Sequence, residues 1–163
     1  MKTSIIVLLF ILSGMGGLAQ NGYEIKVRLK PFTNGYLYLG HHFGSKQYII
    51  DSAAINNKGE VVFSGKEKLF GGVYMVIYPR KNGWFEMLID KQQHFSVIAD
   101  TTDIIGKTVY SNSSDNDLFQ HYQQTAQEKG KRIASLQTRL KEHPAGPDSE
   151  EMKSELTKLN ADM

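Results

Sequence analysis

The chain has 163 residues, 40% hydrophobic and 22% charged, so it can bury a core and does not read as a disordered tail. A net charge of +2, with no Lys/Arg cluster, argues against a nucleic-acid binder. Cysteine is absent, which excludes disulfides, thiol catalysis by this chain and a lipoprotein-type cysteine anchor, and leaves only His and carboxylates for any metal site.

Residues 1–19 read as a secretory signal peptide. Lys2 gives a short positive start, an apolar run covers residues 5–12, and Gly17-Leu18-Ala19 supplies small residues at the two positions a signal peptidase reads. Cleavage is expected before Gln20. The apolar run falls short of the roughly 20 residues of a membrane span. The mature chain is therefore expected to be exported to the periplasm or cell envelope, soluble and not membrane-spanning.

Residues 20–110 read as an antiparallel β domain. Tyr23, Ile25, Val27 and Leu29 alternate with Glu24, Lys26 and Arg28, the period of a half-buried strand. Asn34-Gly35 is a turn pair, and Tyr36-Leu37-Tyr38-Leu39 follows. After Gly40 and Gly44 come Tyr48-Ile49-Ile50, then a turn at Asn56-Asn57-Lys58-Gly59 into Val61-Val62-Phe63. The run Val73-Tyr74-Met75-Val76-Ile77-Tyr78 is apolar on both faces and predicts a central strand covered on both sides. Lys81-Asn82-Gly83 turns into residues 84–89, a polar turn covers residues 90–93, and strands at residues 95–99 and 107–110 close the set. Short strands with regular turn signals predict an antiparallel β-sandwich or a partly closed barrel.

The pattern changes after Tyr110. A connector helix is expected within residues 111–143, with Ser114 and Asp117 resembling a capping box and Leu118, Tyr122, Ala126, Ile133, Leu136 and Leu140 forming an apolar stripe broadened by Phe119. Glu128 and Arg132 are spaced to pair along its exposed face. Pro144, Gly146 and Pro147 stop it. A short terminal helix is expected in residues 147–163, starting at Asp148 with Glu151, its stripe of Met152, Leu156 and Leu159 having no evident partner. That favours a chain that is a piece of a longer protein, the last helix beginning a further module.

Gly22-Tyr23-Glu24-Ile25-Lys26-Val27, Tyr36-Leu37-Tyr38-Leu39-Gly40, Lys46-Gln47-Tyr48-Ile49-Ile50-Asp51-Ser52 and Gly71-Gly72-Val73-Tyr74, in this order after a signal peptide, resemble an N-terminal domain of unknown function in exported Bacteroidetes proteins. That domain commonly precedes a thioredoxin-like thiol–disulfide oxidoreductase module of the alkyl-hydroperoxide-reductase/ResA type. The likeness covers roughly Tyr23 to Leu140 and rests on turn glycines and strand patterns. It implies an accessory role beside a Cys-x-x-Cys module, and no catalytic residue carries over. The implied partners are a downstream thioredoxin-like module or another envelope protein, with a homodimer as a further option.

The remaining constellations are weak. His41 and His42 are adjacent on a strand and point to opposite faces, so they read as a polar strand end rather than a metal site, even with His94 and His121 elsewhere. Ser45, His42 and Asp51 lack the strand–turn–helix elbow of a hydrolase. Asp100 and Asp103 flank Thr101-Thr102 as in a turn. No catalytic, metal-ligating or cofactor-binding residue is assigned, and no cofactor is expected. Tyr36, Tyr38 and Trp84 are the candidate ligand surface, since exposed Tyr and Trp combine an apolar face with a polar edge; Trp84, just after the Asn82-Gly83 turn, is expected to be partly exposed. The leading expectation is a non-catalytic exported accessory domain, the alternative a stand-alone glycan- or peptide-binding β module, and a small hydrolase stands last.

Overall fold

Ile25, Val27 and Leu29 are buried in β1 (Tyr23–Lys30), while Lys26, Arg28 and Lys30 between them face water. The same period of two shapes β4 (Glu60–Gly65), β6 (Trp84–Ile89) and β7 (His94–Asp100). A computed structural model of the chain describes residues 22–44 and 46–161; the expected signal peptide and Ser45 lie outside the described residues. The other strands are β2 (Tyr36–Phe43), β3 (Lys46–Ala54), β5 (Gly72–Ile77) and β8 (Val109–Ser111).

These strands form two four-stranded sheets, in the orders β4-β1-β7-β8 and β3-β2-β5-β6. Their inner faces meet in one core, to which Val27, Phe63 and Val97 come from the first sheet and Leu39, Val76 and Met87 from the second. A fully buried aliphatic or aromatic side chain contributes about 1.5–3 kcal/mol, so this interlayer core is the main favourable term. The architecture is the expected β-sandwich followed by a long and a short helix; the two sheets do not close into a barrel.

The strand pairing differs from expectation at one place. β1 and β7 are parallel, with Ile25 opposite Phe95 and Val27 opposite Val97. Five strands and their turns separate the two in sequence, which is ample chain for the crossover that parallel pairing requires. β5 is central and covered on both faces, as its composition implies. Tyr74 and Val76 point into the core, and Met75, on the outer face, is still only 1% exposed. Gly40, its partner on β2, leaves space there: a Cβ at Gly40 would lie 3.4 Å from Met75 Cε and 3.2 Å from Ile77 Cδ1.

A short helix, α1 (Ile104–Lys107), was not evident from the sequence. Asp103 caps it, its carboxylate accepting from Gly106 N–H at 2.9 Å. The long helix α2 (Ser114–Glu142) begins one residue after Ser113, which is its N-cap residue, and the expected Ser114 capping box does not form. Ser114 N–H and Oγ instead donate to Gln92 Oε1, at 2.8 and 3.2 Å.

Two parts of α2 are held by different physics. The expected apolar stripe fails at its start, where Leu118 and Tyr122 are 71% and 68% exposed. Buried Asn116 and Gln120 dock this end. Asn116 Oδ1 accepts from Leu88 N–H at 2.7 Å, and its Nδ2 donates to Leu88 C=O at 2.8 Å. Gln120 and Gln124 both donate to the Ile105 carbonyl. The helix is thus placed where backbone groups of β6 and α1 lack partners, and hydrophobic periodicity does not report that. Further along, Leu136 is buried by α3 (Ser149–Ala161), which packs back onto α2 with Met152 at 7% exposure. The last helix therefore has a partner. Arg132 pairs with Glu155 of α3 at 2.7 and 2.8 Å, not with Glu128. This ion pair is solvent-exposed and adds little beside the burial of Leu136 and Met152.

Replacing Asn116 with Leu should destabilise the chain by about 1–3 kcal/mol, because it strands both backbone groups of Leu88. Leu118→Ala, two positions away and exposed, should change stability by less than about 0.5 kcal/mol. Urea unfolding of both variants measures the contrast. A chain ending at Lys141 should keep the cooperative unfolding and near-UV aromatic signal of the sandwich, whereas its far-UV helical signal should fall by more than the 13 residues of α3 account for, since Leu136 loses its cover.

Candidate functional site

Between the end of the β2–β3 hairpin and the β4–β5 loop lies a cleft of about 900 Å³. Its floor is His41 and Tyr74, and Tyr23 lies at one end. Phe43, Ile50 and Phe70 form an apolar rim, with Phe43 74%, Ile50 41% and Phe70 91% exposed. The strand register explains the placement of Ile50. Ile50 has no partner on β2, because the register shifts between Leu39, opposite Asp51, and Gly40, opposite Ile49. This bulge interrupts the alternation and turns Ile50 toward the cleft.

The floor is rigidly built. The His41 ring lies between Tyr48 and Tyr74, with centroid distances of 5.9 Å to each. Tyr23 packs over Gly65, where its ring occupies the space a Cβ would need. Tyr23 OH donates to Asp51 Oδ2 at 3.3 Å, and Asp51 Oδ1 accepts from Ser52 N–H at 2.7 Å. Tyr74 OH donates to the Phe70 carbonyl at 2.8 Å and so ties the loop to the floor.

Gln93 holds the same loop from below. It is 4% exposed, accepts from Leu69 N–H at 2.8 Å and donates to Leu69 C=O at 2.8 Å and Asp90 C=O at 2.9 Å. In the sequence it reads as part of a polar turn. Nothing in that pattern marks a glutamine that satisfies the backbone of a loop 24 residues earlier.

The expected ligand surface lies on the outer face of the second sheet. Tyr38 is opposite Ile77, and Ile77 is opposite Trp84, so the three form one row across β2, β5 and β6. Strand spacing puts the backbones of Tyr38 and Trp84 about 10 Å apart. Trp84 is 49% exposed and Tyr36, two residues before Tyr38, is 55% exposed. Lys81 Nζ lies 4.5 Å from the Tyr38 ring centroid, a cation–π contact that limits access to that ring. The structure thus brings Tyr36, Tyr38 and Trp84 to one face, away from the residues of the cleft.

The other candidates separate. His42 Nε2 is 3.7 Å from Glu86 Oε1, while His41 is stacked in the cleft. Asp100 accepts from Thr102 N–H and Oγ1 at 2.9 and 2.7 Å, which holds its carboxyl below the usual carboxylate range. Among the described residues no group of three or more His, Asp or Glu is placed to hold a metal ion. No described helix is long and apolar enough to cross a membrane. The cleft offers an apolar rim, an aromatic floor and hydroxyls already engaged as donors, a surface suited to holding a ligand.

Burial raises the Tyr74 and Tyr78 phenols above the ordinary value of 10.0. Burial raises Tyr23 and Tyr110 too, with Asp51 and Asp117 respectively adding to the effect. The unfolded chain releases these protons near pH 10 while the folded chain keeps them. The stabilisation is complete below that pH and is lost as pH rises above it. The urea midpoint should stay flat from about pH 8 to 10 and fall beyond, and Tyr110→Phe should flatten the fall.

No curated protein and no solved structure gives a significant match. Residues 23–119, which span all eight described strands, α1 and the first turns of α2, match the family described as Domain of unknown function (DUF4369). The chain belongs to this DUF4369 family.

Proposed function

We propose that this chain is an exported, non-catalytic accessory domain that works beside a thioredoxin-like thiol–disulfide oxidoreductase module and engages a protein partner through the cleft. The observation that carries this reading is the apolar rim of Phe43, Ile50 and Phe70, exposed to water around a floor that is already hydrogen-bonded. Large exposed aromatic and aliphatic side chains gathered at one cleft suit a binding surface. Thiol–disulfide exchange needs an attacking thiolate, and this chain has no cysteine to supply it. The active module would be the partner's contribution. The signal-peptide pattern of residues 1–19 supports an envelope setting.

A second reading keeps the Tyr36, Tyr38 and Trp84 face as a glycan- or peptide-binding platform, favoured by the alignment of Tyr38, Ile77 and Trp84 in one row. Trp84→Ala and Tyr38→Ala test it.

Residues 20–141 joined to a thioredoxin-like module of the Cys-x-x-Cys type should change that module's oligomeric state or its turnover on a disulfide-scrambled protein, compared with the module alone. Identical localisation, oligomeric state and turnover in both forms sink the accessory reading. Glycan-array binding by this chain, lost in Trp84→Ala, then promotes the second.

A further inference from the structure

We infer that the outer edge of β3, at residues 46–50, accepts an extended strand of a partner protein by β-addition, and that this strand is apolar at the alternate positions facing the cleft and acidic at its ends. This rests on the reading of the cleft as a partner site and specifies how the partner is held.

β3 is the last strand of its sheet. Among the described residues its ladder partner is β2 alone. Its C-terminal half is sheltered near β4, where the chain turns at Asn56, and Ile55 N–H donates to Gly35 C=O at 2.9 Å. Its N-terminal half is not sheltered: Lys46, Gln47, Tyr48, Ile49 and Ile50 are all exposed. No described backbone group bonds to the outer side of this half. A sheet edge left this way presents a row of free N–H and C=O groups to any extended chain.

The opposite edge of the same sheet shows the contrast. There, on β6, Asn116 satisfies the Leu88 backbone and α2 covers the strand. Natural edges are commonly blunted by a covering element, a bulge or lysines. β3 has a bulge at Ile50 and a lysine at Lys46 but, among the described residues, no covering element, and the bulge turns an apolar side chain into the cleft.

Specificity in strand addition comes from pockets for alternate side chains beside the new strand. The cleft adjoins this edge through Ile50, and Phe43 and Phe70 complete its rim. A strand laid along β3 points every second side chain to the cleft side, which demands apolar residues there. At its ends the same face of the strand meets a basic surround. Lys46 lies on β3, and Lys66 and Lys68 line the cleft, against Glu67 as the opposing charge. Among the described residues none of the three lysines forms an ion pair. Acidic residues on the incoming strand complement them, and the same charges oppose pairing of β3 with β3 of a second copy.

The test uses the full chain and a short synthetic peptide with valine at the alternate cleft-facing positions, threonine between them and glutamate at both ends, followed by backbone amide NMR. The expected result is saturable shifts and slowed amide exchange confined to residues 46–50 and loop 66–71. Methylating the peptide's alternate backbone nitrogens on one edge should abolish binding, and methylating the other set should leave it intact. Ile50→Asp should weaken binding at least about tenfold, and Trp84→Ala should leave it unchanged. Lysine in place of glutamate in the peptide should weaken it as well. The inference falls if the peptide does not bind, if the shifts map to Tyr38 and Trp84, if either methylated peptide set binds equally, or if residues 46–50 become protected with protein concentration alone, which marks a second copy as the occupant. Should Ile50→Asp leave the effect of residues 20–141 on a joined thioredoxin-like module intact, strand addition is wrong while the accessory reading stands. Should that module be indifferent to residues 20–141 although the peptide binds, the accessory reading is wrong and strand addition stands.

Discussion

Leu88 carries an N–H and a C=O on the outer edge of β6, and the side-chain amide of Asn116 meets both at hydrogen-bond distance. A buried backbone group without a partner costs about 1–3 kcal/mol, so this contact decides where α2 begins and what it can cover. With α2 placed, Gln120 and Gln124 reach the Ile105 carbonyl, and α1 is held against the sandwich. Tyr110 of β8 adds a weaker tie, its hydroxyl donating to the Glu86 carbonyl at 3.4 Å. One side of the two-layer structure is thereby closed by polar side chains acting on backbone, while the interior is held by apolar burial.

The other side of the second sheet is built differently. The β2–β3 hairpin projects beyond the core, and its outer strand is exposed over its first half. The nearby loop is still fixed at two points, by Tyr74 OH on the Phe70 carbonyl and by Gln93 on both backbone groups of Leu69. Order in the loop thus comes from buried polar anchors and leaves the Phe70 side chain free at the surface. A binding cleft gains from such an arrangement, because the anchored backbone does not have to be ordered when a partner arrives.

The aromatic row on the outer sheet face is a weaker claim on a ligand than the cleft. Lys81 sits over Tyr38, and Met75 and Ile77 fold over the gap at Gly40, so much of that face is filled by its own side chains. Only Tyr36 and Trp84 of the three candidates are well exposed. In the cleft the ordering is reversed: the filled part is the floor, and the large apolar groups stand at the rim.

The sequence by itself determined the strands, because alternation in residues such as Ile25, Val27 and Leu29 is a local property that burial of one sheet face requires. It also determined the turns, the central place of β5 and the existence of a long and a short helix. The candidate surface was legible in part: Trp84, beside the Asn82-Gly83 turn, is half exposed as expected, whereas Phe85 next to it is buried. Tertiary structure alone decided the parallel pairing of β1 with β7, the exposure of Leu118 and Tyr122, and the return of α3 onto α2. It alone assembled the cleft, from Tyr23, His41, Ile50 and Phe70, and gave Asn116 and Gln93 their roles. The physical reason is common to all of these. Periodicity records which side of an element is apolar, whereas a side-chain amide that completes a distant backbone, or an edge left without one, depends on which strands become neighbours.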